Sequence, residues 1–304
     1  MSVQNNTSQY HYLSLDCDSF NEESACDKTV AIVPPRSVAT QSQGLSARLT
    51  QMNSDGHKLN DDSALSESTL SSAIADVVEY ARERVLTLLG GEVVHKKNMS
   101  LYDCQECYHK VGGPEPEEEN KRFYMKPDGG IIVAIVNGEE IPLLITEDKV
   151  QGTNDNLYEQ NKKRQSTGNA IERAAKNIRG AEMIFSNMDV FPYALFASGC
   201  DLHHTETISK RIVMMNMGTP NHYIEVRPDK TKEEISKEVD DVVKNIKIKN
   251  VRGKSIASVF VKAHKWDVMK HRSSMWEKPE IVKICFMIVD LVLDEIVKTL
   301  AASK

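Results

Sequence analysis

The feature that most constrains the fold is a pair of apolar runs joined by a turn signal, Gly130–Val136 and Ile141–Val150, with Asn137-Gly138-Glu139-Glu140 between them. Asn-Gly supplies the positive φ angles that tight hairpin turns need, so the two runs are expected to pair as antiparallel strands.

Elements with helical and strand periodicity surround this hairpin. Apolar residues recur at helical spacing from Ser66 to Leu89, and Gly90-Gly91 ends the pattern. An acidic loop, Pro114–Asn120, precedes the hairpin. After it, Phe191–Ala197 reads as a buried strand, with further strands expected at Arg211–Met215, Tyr223–Arg227 and Ile256–Val261. Helices are expected at Lys232–Asn245 and Pro279–Ala302. The fold class is therefore α/β, a mixed central sheet flanked by helices. Residues 1–63, rich in Ser, Asn, Gln, Thr and Asp and without hydrophobic period, are expected to form a disordered or loosely docked extension, within which Lys28–Pro35 is a candidate docking strand. The folded domain is expected over 64–304.

The net charge of −6 conceals an uneven distribution. Residues 1–70 hold four basic against nine acidic side chains, whereas 161–180 hold six Lys and Arg against Glu172 alone, and 244–272 hold nine against Asp267 alone. Local basic surfaces of this kind attract a polyanion even on an acidic protein. Six cysteines are too sparse for a disulfide scaffold. No apolar run approaches the roughly 20 residues of a membrane-spanning helix, and the first residues lack the order of a signal peptide. The expected location is the cytoplasm.

Chemistry concentrates on the hairpin. Asp128 stands where its first strand begins; Glu147 and Lys149 stand near the end of the second. Strand side chains alternate, so Glu147 and Lys149 share a face while Asp148 projects to the other. Two carboxylates and an amine then converge. Carboxylates suit Mg²⁺, which takes one or two of them together with substrate phosphate oxygens, and such an ion activates water and neutralises phosphodiester charge. The bland alternative is an Asp-Gly-Gly turn beside a solvated Glu-x-Lys pair.

Pro127-Asp128, a hairpin, then Glu147-x-Lys149 resembles the PD-(D/E)xK nuclease superfamily, and the wider context resembles the EcoRI-type restriction endonucleases. The matching pieces are KPDGGI (126–131), EDKVQG (147–152), GNAIER with KNI (168–178), FPYALF (191–196), NMGTPN (216–221) and Trp276-Glu277. They span roughly 66–304. The resemblance implies a restriction-endonuclease-like core and a Mg²⁺-dependent, homodimeric type II restriction endonuclease. Such an enzyme cuts double-stranded DNA and is paired with a DNA methyltransferase that protects the host site. It makes Asp128 and Glu147 metal ligands together with the backbone carbonyl of Asp148, and Lys149 the catalytic amine. Asp148 departs from the small residue common in the family.

GNAIERAAKNIRG (168–180) reads as a helix whose stripe of Ile171, Ala174, Ala175 and Ile178 packs inward. Asn can bond the adenine edge and Arg the purine N7 or O6 in the major groove. By resemblance Asn169, Glu172 and Arg173 read the inner bases of a palindrome containing AATT, cut to leave four-base 5′ extensions. Ser166, Thr167 and Arg211 are expected to bear on the outer bases, and Gln151 and Ala170 are counted with the DNA contacts. Lys162, Lys163 and Arg164 suit phosphates, which position without specifying. Two alternatives remain: a repair or junction-resolving nuclease on the same core, and a sequence-specific DNA-binding protein that does not cut. A separate cluster, Cys104, Cys107 and His109, invites a zinc reading, although structural zinc usually takes two such pairs.

Overall fold

The computed structural model describes residues 59–150, 177–178, 181, 190–199, 202, 210, 222–227, 229–246, 259–264 and 275–302. All of them fall in one unit, Thr50–Lys304.

Helix α1 (Leu59–Leu89) opens the described chain. Its buried residues Leu70, Ala73, Ile74, Val77, Val78, Ala81 and Val85 follow the helical repeat. It starts at Leu59, several residues before the apolar period that begins in the sequence at Ser66. Gly90, at φ +63°, ends it in the left-handed conformation that glycine adopts without strain.

Strand β1 (Glu92–Lys96), strand β2 (Met99–Ser100) and helix α2 (Leu101–His109) follow. Ser100 caps α2: its hydroxyl accepts from Asp103 N while the Asp103 carboxylate accepts from Ser100 N. The end of the expected acidic loop, Pro114–Asn120, runs into a short 3-10 helix, Glu118–Arg122, and β3 (Tyr124–Met125) pairs with β2.

The predicted hairpin is β4 (Gly130–Val136) with β5 (Glu139–Val150). Its turn is only two residues long, with Asn137 at φ 52° and Gly138 at φ 83°, the doubly left-handed geometry that Asn-Gly favours. Pro142 interrupts the ladder, and the register shifts by a bulge at Ile132/Val133 opposite it. Proline has no N–H to donate and belongs at such irregularities. Beyond the bulge, β5 pairs on its other side with β6 (Tyr193–Ser198), in parallel.

Strands β7 (His222–Val226) and β8 (Val259–His264), with helices α3 (Lys232–Asn245) and α4 (Lys278–Ala302), lie within one or a few residues of their predicted positions. The six-stranded sheet runs β1-β4-β5-β6-β8-β7, antiparallel from β1 to β5 and parallel from β5 onward. Helices α1 and α4 pack on each other and on β5, and α3 packs on β7 and α4. Every residue of β6 is buried, which requires cover on both faces. The class is the expected one, a mixed sheet flanked by helices. No helix among the described residues is long and apolar enough to cross a membrane.

Candidate active site

Position 128 is fixed by the two glycines after it. Gly129 N donates to Thr146 O at 3.0 Å, and a Cβ on Gly129 would stand 1.9 Å from Thr146 Oγ1. Gly130 has φ +75°, and a Cβ there would meet His95 Nε2 at 2.6 Å and Lys96 O at 2.7 Å. The Asp-Gly-Gly run thus lets the chain turn tightly against both β1 and β5, carrying Asp128 to the end of the β5 strand.

There the expected residues meet. Lys149 Nζ lies 3.0 Å from Glu147 Oε1, 3.2 Å from Asp128 Oδ2 and 2.8 Å from Asp148 O. Asp148 N donates to Asp128 Oδ2 at 3.1 Å, locking the carboxylate to the strand. Glu147 is buried, whereas the Lys149 and Asp128 side chains are about one third exposed, at 32% and 37%, so the cluster opens to solvent on one side. Burial alone would lower the Lys149 pKa, but the adjoining Glu147 and Asp128 carboxylates outweigh it and hold the ammonium above its ordinary range.

Asp148 points to the opposite face, as strand alternation requires. Burial pushes its carboxyl up to about 6, opposed by a hydrogen bond from Ser66 of α1. A charged residue at this position is accommodated by the α1 interface and leaves the carbonyl free to face the cluster.

Three hard oxygen donors, from Asp128, Glu147 and the Asp148 carbonyl, therefore converge on one point held by an ammonium. That donor set fits Mg²⁺, a cation that accepts few protein ligands and keeps other positions for water and phosphate. Among the described residues no group of three or more His, Cys, Asp or Glu side chains gathers as a metal-ligand set. The site has two carboxylate side chains and takes its third oxygen from the backbone.

Two residues that sequence reasoning did not single out complete the surroundings of Glu147. Tyr193 of β6 donates its hydroxyl to Glu147 Oε2 at 2.5 Å, and Asn177 Nδ2 lies 2.8 and 2.9 Å from the two carboxylate oxygens. Burial, then the Glu147 charge, raise the Tyr193 pKa well above its ordinary value, so it stays a donor. The signal was present in FPYALF. A tyrosine in an otherwise apolar buried strand needs a partner for its hydroxyl.

Asn177, Ile178 and Ala181 are helical; of the predicted inward stripe Ile178 is buried, while Ile171, Ala174 and Ala175 lie outside the described residues. Gln151, Lys162, Lys163, Arg164, Ser166, Thr167, Asn169, Ala170, Glu172, Arg173 and Arg211 lie outside the described residues. So do the Lys28–Pro35 and Arg211–Met215 strands and residues 1–58 of the extension. Of the cysteine cluster, Cys104 is buried, which drives its thiol up to about 12, and His109 Nδ1 sits 3.0 Å from Gly113 O. Among the described residues, Cys104, Cys107 and His109 do not gather as a metal-ligand set.

A mixed sheet whose central hairpin brings an Asp together with Glu-x-Lys defines the restriction-endonuclease-like nucleases. The model of the family described as restriction endonuclease EcoRI matches residues 120–302, and the chain belongs to that family. It is a nuclease. A search of curated proteins finds no match to the chain. The matched span begins at the 3-10 turn before the hairpin, so α1 and β1 lie before it even though they pack into the same sheet.

Proposed function

We propose that the protein is a Mg²⁺-dependent type II restriction endonuclease that acts in the cytoplasm as a homodimer. In this reading it cleaves double-stranded DNA at a palindrome containing AATT and leaves four-base 5′ extensions. The observation that carries the proposal is the convergence of Asp128, Glu147 and the Asp148 carbonyl on the Lys149 ammonium at the solvent-facing end of the hairpin. Family membership supports the nuclease class, and a two-fold recognition site calls for a two-fold protein.

In this reading Asp128, Glu147 and the Asp148 carbonyl hold the ion, which when bound supplies Lewis-acid charge neutralisation at the phosphodiester. Asp128 is kept in register by Asp148 N, so its second oxygen is free to face outward. Glu147, buried, is held in place by Tyr193, Asn177 and Lys149. Lys149 offers its ammonium to the attacking water or to the negative charge carried by the non-bridging phosphoryl oxygens as a new P–O bond forms and an ester P–O bond breaks. Asn169, Glu172 and Arg173 read the inner bases; Ser166, Thr167 and Arg211 bear on the outer ones. Gln151 and Ala170 join the contacts, and Lys162, Lys163 and Arg164 bind phosphates. A cognate methyltransferase protects the host site.

The test is to incubate the protein with Mg²⁺ and DNA of known sequence and to determine the fragment ends. Discrete fragments ending in four-base 5′ extensions within AATT, lost on chelation, are expected. Nicking without double-strand cuts would contradict the dimeric reading, and cuts unrelated to AATT would contradict the assigned reading helix.

A further inference from the structure

We infer that Tyr193 and Asn177 are positioning residues that hold the Glu147 carboxylate in its cation-binding orientation. This rests on the proposed role of Glu147. Its side chain is only 4% exposed, and a buried carboxylate needs donors to offset the hydration it has lost. One of them, Lys149, is a cation held on Oε1. The other two are neutral. Tyr193 bonds Oε2 from the neighbouring strand, and Asn177 straddles both oxygens from a separate helical segment.

The identity of the donors matters. A structural carboxylate is most simply satisfied by a buried ion pair, as Glu280 of α4 is by Lys262 of β8, with Nζ at 2.8 and 2.9 Å from its two oxygens. Around Glu147 the donors on the inner side carry no charge, so they fix its plane and leave its negative charge to be matched from the open side. There Lys149 and Asp128 stand. The rigidity of the arrangement is inherited from its anchors. Tyr193 is fully buried in β6, its ring stacked with Phe191 at a centroid distance of 6.1 Å, and the Ile178 next to Asn177 is buried in the core. Groups placed like this around a ligating carboxylate typically change metal affinity or activity by about 10- to 100-fold when removed.

The experiment uses the full chain carrying Tyr193→Phe, which deletes one hydroxyl and keeps the packed ring, or Asn177→Leu, with Asn177→Ser as a milder companion. Binding of Mn²⁺ to the DNA-free protein is followed by electron paramagnetic resonance of the free ion, beside the Tm and the single-turnover cleavage rate. Mn²⁺ affinity about 10-fold or more weaker in Tyr193→Phe and in at least one folded Asn177 variant, with wild-type Tm within a few degrees, is the expected result. Wild-type Mn²⁺ affinity and cleavage in the folded variants would overturn the inference. Glu147→Gln is run in parallel. If it cuts like the wild type, the site assignment itself fails; if it is inactive while the other variants behave as wild type, only the positioning role fails.

Discussion

The Lys149 ammonium lies 3.2 Å from Asp128 Oδ2 although 21 residues separate the two in the chain. The hairpin makes this contact: β4 carries the chain away from Asp128 and β5 returns it. Replacing Lys149 by Ala leaves the oxygens but removes the positive charge held between them. Cleavage is expected to fall on the order of 10²- to 10³-fold, the usual effect of deleting one charge-stabilising donor. The folding midpoint and metal-free binding of specific duplex should stay close to wild type. Single-turnover cleavage and a filter-binding isotherm check this; undiminished cutting would remove Lys149 from the chemistry.

Gly130→Ala tests the backbone rather than a side chain. The added methyl meets the Lys96 carbonyl at 2.7 Å in a φ +75° conformation that alanine resists. Strain of this kind costs of order 1–3 kcal/mol, and relief requires moving the turn that carries Asp128. A lower Tm together with a loss of cleavage larger than the population unfolded is expected, measured by thermal melting and by rates taken well below the Tm.

How far these relationships could be read from sequence differs by element. The hairpin was legible because Asn137-Gly138 can satisfy only a narrow set of turns, and because apolar runs of strand length flanked it. Strand alternation put Glu147 and Lys149 on one face, the hairpin brought Asp128 to them, and the reading of the three as a site leaned on the family resemblance. By contrast β1, Glu-Val-Val-His-Lys, has one buried residue in five positions and presents no run to notice. The partnership of Asn177 and Tyr193 with Glu147 was invisible for another reason. It depends on how a helical segment and a strand are set against β5, a tertiary relationship that no local spacing encodes.

His222 of β7 predicts a pH dependence of stability. Its ring is fully buried against Phe260, and among the described residues neither ring nitrogen has a hydrogen-bond partner. Burial lowers its pKa to about 4. An unfolded chain protonates the same ring near 6.5, so between those values the unfolded state binds more protons and stability rises with pH. The stabilisation is fully present above about pH 6.5 and is lost progressively as pH falls to about 4, a change of order 3 kcal/mol. Urea midpoints measured across that window should flatten in His222→Phe. An unchanged slope would assign the acid sensitivity to other groups.

The Lys262–Glu280 pair joins β8 to α4, with side chains only 3% and 14% exposed. Lys262 Nζ also donates to Met275 O at 3.1 Å and lies 5.7 Å from the Trp276 ring centroid, while Trp276 Nε1 donates to Ala197 O at 3.0 Å. Glu280→Ala strands the ammonium inside this cluster. Loss of about 3–5 kcal/mol of unfolding free energy is expected, as for other buried pairs deprived of one partner. Chemical denaturation measures it, and a loss below 1 kcal/mol would show that water reaches Lys262.

Glu147 is the residue on which cleavage is expected to depend most directly. Wild type and Glu147→Gln are to be compared on one duplex containing a flanked AATT site and on a scrambled control, scoring both binding without metal and cleavage with Mg²⁺. The predicted result is that Glu147→Gln binds the AATT duplex in preference to the control, as wild type does, and does not cut it. Cleavage at the wild-type rate by Glu147→Gln would contradict the account.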